Sequence, residues 1–301
     1  MWRRPPPGNL GPMDLQRRTI TSTDGDIALG VTDVGEGPPV VLVHGFPELA
    51  YSWRHQLPAL RGAGVRAIAY DQRGYGMSDK PNETERYGLE MLVGDLVGLL
   101  DALELEQATI VGHDWGSIVV WATAVLHPER VAKVVSLNVP YRGWFNAFPT
   151  IDFMREHMAD TFGYVLGFQE EGRAEASFAR DPDAWLRRIY QGVAADVDFL
   201  DPEEFAVYRD AFVAGGIRGP VSYYRNIDAN VAFAEPYANA PITVPTLMVT
   251  AQYDPILPPT MIDGMGRWVA DLEVAHVTGS GHWTQQEAPD QVNRILIDSL
   301  T

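Results

Sequence analysis

Short, mainly apolar runs rich in β-branched residues recur along this chain, each followed by a stretch of helical periodicity, and that alternation limits the fold more than any other feature. Val40-Val41-Leu42-Val43, residues 65–70, Ala108-Thr109-Ile110-Val111 and residues 131–137 read as strands. Runs with so little polar alternation fit strands buried on both faces. Between them, residues 52–60, 89–103 and 117–126 carry helical spacing. Strands joined by such crossovers lie parallel, so the order predicts an α/β class with a mostly parallel central sheet flanked by helices. Ahead of this series, residues 19–23 and 27–34 alternate around Asp24-Gly25, the pattern of a β-hairpin.

After Asn138 the pattern changes. Residues 139–240 are rich in aromatics, mostly helical in period, and broken by Pro and Gly. The α/β pattern then resumes with strands at 244–250 and 274–277 and helices at 261–271 and 289–300. The expected organisation is an α/β core of residues 15–138 and 241–301, carrying a helical lid of residues 139–240 between its sixth and seventh strands. Residues 1–14, rich in Pro and Gly, are expected to form a flexible tail.

Charge and composition exclude several functions. The 301 residues include 40 acidic and 23 basic side chains, a formal net charge of -17, which repels phosphate backbones and anionic lipid surfaces. Nucleic acid is therefore not an expected partner. No cysteine is present, so disulfides, thiolate metal sites and a Cys nucleophile are excluded. The longest apolar run, near residues 118–126, is too short to span a bilayer, and no apolar segment of a secretory signal follows Arg3 and Arg4. A cytoplasmic protein, monomeric or homodimeric, is expected, away from membranes.

The segment richest in chemistry is Gly112-His113-Asp114-Trp115-Gly116. It lies between a strand and a helix, the setting of a nucleophile elbow, with Asp at the position that Ser usually takes. Glycines on either side suit a turn too tight for side chains, and the helix N-terminus favours a negative charge. A Gly-Asp-Gly turn in which Asp merely caps the helix has the same local pattern. Its wider setting argues for chemistry. His44-Gly45-Phe46-Pro47 follows the first core strand, and in an elbow architecture that loop and the residue after the nucleophile supply the backbone donors of an oxyanion hole, here Phe46 and Trp115. His44 itself reads as a structural residue fixing the loop. Asp254 and His282 both follow late strands, at the ends where open α/β sheets place their sites. The chain order Asp114, Asp254, His282 is that of nucleophile, acid and base in an α/β hydrolase.

Together with Asp71-Gln72-Arg73-Gly74-Tyr75-Gly76-Met77-Ser78, Tyr223-Tyr224-Arg225-Asn226 and Gly281-His282-Trp283, these segments resemble the epoxide hydrolases of the α/β-hydrolase fold, from about residue 14 to the C-terminus. The resemblance implies two lid tyrosines aimed at the nucleophile. Tyr224 matches one and Tyr164 the other, although Tyr223, next to Tyr224, is open to the same role by helical position alone. It further implies attack of the Asp114 carboxylate on an epoxide carbon with proton donation by Tyr164 and Tyr224. Hydrolysis of the resulting ester follows, by water activated by His282, with Asp254 holding the imidazole. A vicinal diol results, with no metal or organic cofactor. A small apolar epoxide and water are the expected partners.

Two relatives of this reading stay open. A haloalkane or haloacid dehalogenase shares the Asp ester, and Trp115 could hold a halide. A non-catalytic small-molecule receptor shares the scaffold but usually lacks a triad member. An esterase conflicts with Asp at the elbow, since Ser117 falls in the helix. Phe145, Phe148, Phe153, Met154, Phe162, Phe168 and Trp185 are candidate pocket residues, and aromatics at such spacing equally build cores. Arg54 and His55, near the oxyanion loop, suggest no role from sequence.

Overall fold

The computed structural model describes residues 17–21, 27–143 and 149–300. The expected tail, the Asp24-Gly25 turn, Phe145 and Phe148 lie outside the described residues. The chain forms β1 (Arg17–Thr21), β2 (Ala28–Val34), β3 (Pro39–Val43), α1 (Gln56–Gly62), β4 (Arg66–Tyr70), α2 (Leu89–Ala102), β5 (Ala108–His113), α3 (Trp115–Leu126) and β6 (Val131–Leu137). Seven described helices follow: α4 (Ile151–His157), α5 (Ala159–Phe168), α6 (Arg173–Arg180), α7 (Pro182–Val193), α8 (Pro202–Gly215), α9 (Arg218–Arg225) and α10 (Ile227–Ala234). The α/β pattern then closes with β7 (Thr246–Ala251), β8 (Leu272–Val277), α11 (Thr284–Glu287) and α12 (Pro289–Leu300).

The strands make one eight-stranded sheet in the order β1-β2-β4-β3-β5-β6-β7-β8. From β4 to β8 every neighbouring pair is parallel; β2 pairs antiparallel with both β1 and β4. The apolar runs behave as their composition requires, with β5 and β7 buried along their whole length. Alternate side chains of β3 enter opposite cores: Val41 and Val43 join the cluster with α2, α3 and the inserted helices, whereas Val40 and Leu42 join the cluster with α1 and α12.

Strand order matters for function here. From β3 the chain passes outward to β4, then crosses back to lay β5 on the other side of β3. That reversal opens a crevice beyond the carboxyl ends of β3 and β5, where open α/β sheets bind ligands. The oxyanion loop leaves β3 there and the elbow leaves β5.

The expected elements were met with two departures. The helix foreseen at 261–271 is instead two 3₁₀ turns, Pro259–Ile262 and Met265–Arg267, because Gly264 takes the left-handed conformation (φ +80°) and breaks any continuous helix. The helix foreseen at 52–60 divides into a 3₁₀ turn at Ala50–Trp53 and α1. Among the described residues no helix is long and apolar enough to cross a membrane.

Candidate active site

Asp114 sits at the apex between β5 and α3 with φ +50° and ψ -121°, a conformation that L side chains seldom adopt. The bend is possible because its flanks are glycines. A Cβ on Gly112 would stand 2.5 Å from backbone atoms of Gly116 and Ser117, and one on Gly116 would stand 2.0 Å from the Val43 carbonyl oxygen. The strained turn lifts the carboxylate out of the sheet to the start of α3, and strain of this kind characteristically collects at functional sites. Ser117 lies inside that helix, buried, its hydroxyl donating to the Leu137 carbonyl at 3.1 Å.

Each oxygen of the Asp114 carboxylate has its own neighbour. Oδ1 accepts the Phe46 backbone N–H at 2.8 Å. Oδ2 lies 3.6 Å from His282 Nε2. His282 Nδ1 in turn hydrogen-bonds Asp254 Oδ2 at 2.8 Å. Trp115 opens α3, next to the elbow. The structure thus gathers Asp114, Phe46, Trp115, His282 and Asp254 in one place.

Asp254 is held by more than the histidine. Its Oδ1 accepts the N–H groups of Ile256 and Leu257, both at 2.9 Å, and its Oδ2 also accepts from Asn138 Nδ2 at 2.6 Å. Burial opposes its charge, but the His282 imidazole and these donors win, holding the carboxyl well below the usual range. For His282 burial likewise opposes the charge, and the carboxylates of Asp254 and Asp114 outweigh it, so the ring is held well above the usual histidine range. His282 thus lies between two carboxyl groups whose interactions favour its protonated form.

Over this carboxylate lie rings from the inserted helices. The Tyr224 ring packs edge-on to Phe46, Trp115, Tyr164 and Phe168 at 5.0, 5.2, 5.8 and 5.3 Å. Burial, then the charges of nearby groups including Asp114, pushes the Tyr224 hydroxyl far up. Tyr164, on α5, is 43% exposed as a residue, yet its hydroxyl is raised by desolvation and by Asp114, and its ring packs edge-on to Tyr224. Tyr223 points elsewhere: its hydroxyl donates to the Arg73 carbonyl at 2.9 Å, tying α9 to the core. Of the other aromatics, Phe168 and Trp185 stack near Phe46, whereas Phe153 is half-exposed and lies against His157.

His44 does fix its loop. Gln72 N–H donates to His44 Nε2 at 3.0 Å, which leaves Nδ1 to carry the proton toward the Gly45 carbonyl at 2.8 Å. Burial keeps this ring neutral.

A set of polar residues absent from the sequence reading lies behind the site. Glu48 is fully buried and accepts from Gly45 N, His113 Nδ1, Gln285 Nε2 and Gln286 Nε2 at 2.8, 2.7, 2.8 and 2.9 Å. Burial would raise its carboxyl; His113 and the other donors bring it down to about 2. The other nitrogen of His113 meets the His282 carbonyl at 2.7 Å. Both His113 nitrogens face acceptors, so the ring sits as a donor at both ends, between Glu48 and the His282 loop. Glu48 follows the donor Phe46 by two residues and His113 precedes Asp114 by one; only that adjacency could have drawn attention to them.

A strand-to-helix elbow bearing a carboxylate, a backbone donor from the loop after β3, and a histidine and acid from the later strands define an α/β hydrolase with Asp at the nucleophile position. The family model described as alpha/beta hydrolase fold matches residues 38–289. Epoxide hydrolase A of Mycobacterium tuberculosis is 38% identical over 96% of this chain and 98% of its own length. Bifunctional epoxide hydrolase 2 of Sus scrofa is 38% identical over 98% of this chain, which spans 57% of that longer protein. Among solved structures, epoxide hydrolase A from Mycobacterium thermoresistibile superposes with a TM-score of 0.86 at 38% identity, covering 94% of this chain and 97% of that one. An epoxide hydrolase from Vigna radiata gives 0.88 at 32% identity, covering 96% and 99%. The chain belongs to the epoxide hydrolases of the α/β-hydrolase fold.

Proposed function

We propose that this protein converts a small apolar epoxide and water to a vicinal diol through an ester on Asp114. The observation that carries this reading is the arrangement around one carboxylate: Oδ1 is held by Phe46 N–H, Oδ2 faces His282, and the Tyr224 ring, with Tyr164 against it, packs on Phe46 and Trp115 on either side of the elbow.

Asp114 Oδ2 attacks an epoxide carbon, and the ring C–O bond breaks with its electron pair going to the oxygen. A carboxylate needs no base for this step. Tyr164 and Tyr224 meet the developing alkoxide and supply the proton; their raised pKa values keep both protonated at neutral pH. Ester formation removes the Asp114 charge, one of the two that favour the imidazolium, so the ring's pKa falls; its proton passes to the tyrosinate left by ring opening, and His282 is left neutral for the next step. His282 then takes a proton from water, and the hydroxide adds to the Asp114 carboxyl carbon. Phe46 N–H, with Trp115 N–H as the second donor, stabilises the oxyanion on Oδ1. Collapse of this intermediate releases the diol and restores the carboxylate. Asp254 fixes the imidazole tautomer throughout.

Two phenols above the carboxylate suit an alkoxide leaving oxygen, which a dehalogenase does not generate. The helices of residues 139–240 act as the lid that brings them, and the aromatic lining favours neutral substrates. The acidic surface suits a cytoplasmic monomer or homodimer.

The test is one turnover in heavy-oxygen water with enzyme in excess. The solvent label is expected in Asp114, read by mass spectrometry of its peptide, while the diol carries the old Asp114 oxygen. Label in the first-turnover diol overturns the ester route.

A further inference from the structure

Arg54 and Gln286 carry no role in the mechanism above, yet Gln286 is buried and the Arg54 side chain is only 8% exposed where the inserted helices meet the core. Arg54 Nε donates to Glu204 of α8 at 2.7 Å, and its Nη1 donates to Gln286 Oε1 at 2.7 Å. The Tyr208 hydroxyl, also from α8, donates to the same Gln286 oxygen at 2.8 Å and meets Ser52 Oγ at 2.9 Å. The amide orientation of Gln286 follows from chemistry alone. Its oxygen takes a guanidinium and a phenol, and its NH₂ donates to Glu48 Oε1; reversing the amide would set like against like at both ends. From Glu48 the contacts run on to Gly45 N–H, in the loop that presents Phe46 N–H, and through His113 to the His282 carbonyl.

We propose that Gln286 is a positioning residue, which transmits the seating of α8 on the core to the Phe46 N–H donor and so to hydrolysis of the Asp114 ester. The inference rests on the reading of the site given above. It makes a kinetic distinction. Phe46 N–H is already bonded to the carboxylate in the resting enzyme. During alkylation the charge on Oδ1 declines, so this donor gives the transition state no advantage over the ground state. During hydrolysis the charge on Oδ1 returns as an oxyanion, and donor placement matters most. A misplaced loop therefore slows the second step alone. In a two-step scheme that lowers kcat and KM together and leaves kcat/KM, which reports alkylation, unchanged.

Gln286→Met keeps the length of the side chain and removes both sets of hydrogen bonds. Removing an oxyanion donor costs ~100-fold or more, so displacing one is expected to lower kcat about tenfold. KM should fall in parallel, kcat/KM should stay within about twofold, and the steady-state fraction of esterified Asp114 should rise by mass spectrometry. Tyr208→Phe, which deletes one of the two donors and keeps the ring, should shift kcat and KM in the same sense by about twofold. It serves alone if the first variant does not fold. A fall of kcat/KM in step with kcat, at unchanged KM, would mean that the tyrosines or the fold were disturbed instead and overturns the proposal, as does an unchanged kcat in Tyr208→Phe and Gln286→Met. A wild-type chain that forms neither diol nor ester overturns the reading of the site itself, and is recognised before any variant is compared.

Discussion

At the scale of single residues, Asn138 shows how far the site extends beyond its chemistry. It directly follows β6 with φ +70°, a left-handed conformation that Asn tolerates better than most residues. From there Nδ2 donates to the Asp254 oxygen that also accepts from His282, while Oδ1 accepts from Thr284. Without that amide, Asp254 would hold the imidazolium more tightly, and His282 would give up its proton at higher pH. Asn138→Gly removes the amide without adding strain. A hydrogen bond to a charged group is worth ~1.5–3 kcal/mol, so kcat should fall about tenfold, with the acid limb of the kcat–pH profile moving upward. A lower kcat with an unmoved limb would reduce Asn138 to a packing role. Sequence could name Asp114, Asp254 and His282 because each follows a strand in a fixed order. It could not choose between Tyr223 and Tyr224, since neighbours on a helix differ only in what they touch: both rings meet Trp115, but the Tyr223 hydroxyl ends on Arg73, whereas Tyr224 meets Phe46 and Tyr164. Nor could it find Asn138, whose partner lies 116 residues away.

At the scale of elements, the elbow works only if β3, β5 and α3 approach more closely than side chains allow. Buried apolar runs made the strands legible, and the glycines on either side of Asp114 marked the turn. The foreseen helix at 261–271 failed for the same kind of reason that the elbow succeeded: a glycine, here Gly264, takes a backbone conformation that periodicity does not encode. The close approach is testable. A methyl at Gly116 would press on the Val43 carbonyl at 2.0 Å, and neither strand nor helix can yield without displacing the oxyanion loop. Gly116→Ala is expected to cost ~3 kcal/mol or more and to abolish turnover, at the upper end of overpacking penalties. By contrast Gly192, in α7, has no neighbour within 4 Å of its added carbon, and Gly192→Ala should stabilise the chain by up to ~1 kcal/mol. Urea unfolding of the two variants gives the comparison. Equal effects would mean that crowding at the elbow is not what its glycines relieve.

Across the whole molecule, Glu48 joins segments that are remote in sequence: its own loop after β3, His113 at the end of β5, and Gln285 and Gln286 of α11, some 237 and 238 residues away. The inserted helices close on the same centre, with Tyr190 donating to the Pro47 carbonyl, Trp283 donating to the Tyr190 carbonyl, and His282 N–H donating to Val193. A buried carboxylate at such a junction couples the assembly to pH. In the folded chain its pKa is about 2, against 4.5 when unperturbed. Protonation is thus harder in the folded state, so the stability that ionised Glu48 contributes is fully present above about pH 4.5 and is lost as pH falls toward 2. A displacement of this size corresponds to on the order of 3 kcal/mol. Glu48→Gln cannot titrate and lacks this contribution at every pH, whereas His44 and the remaining acidic groups are common to both proteins. The stability gap between wild type and Glu48→Gln, from urea midpoints, is therefore expected to be largest near pH 5.5 and to shrink by more than half by about pH 3. A gap that stays constant over that range would show that the Glu48 carboxyl titrates alike in the folded and unfolded chains.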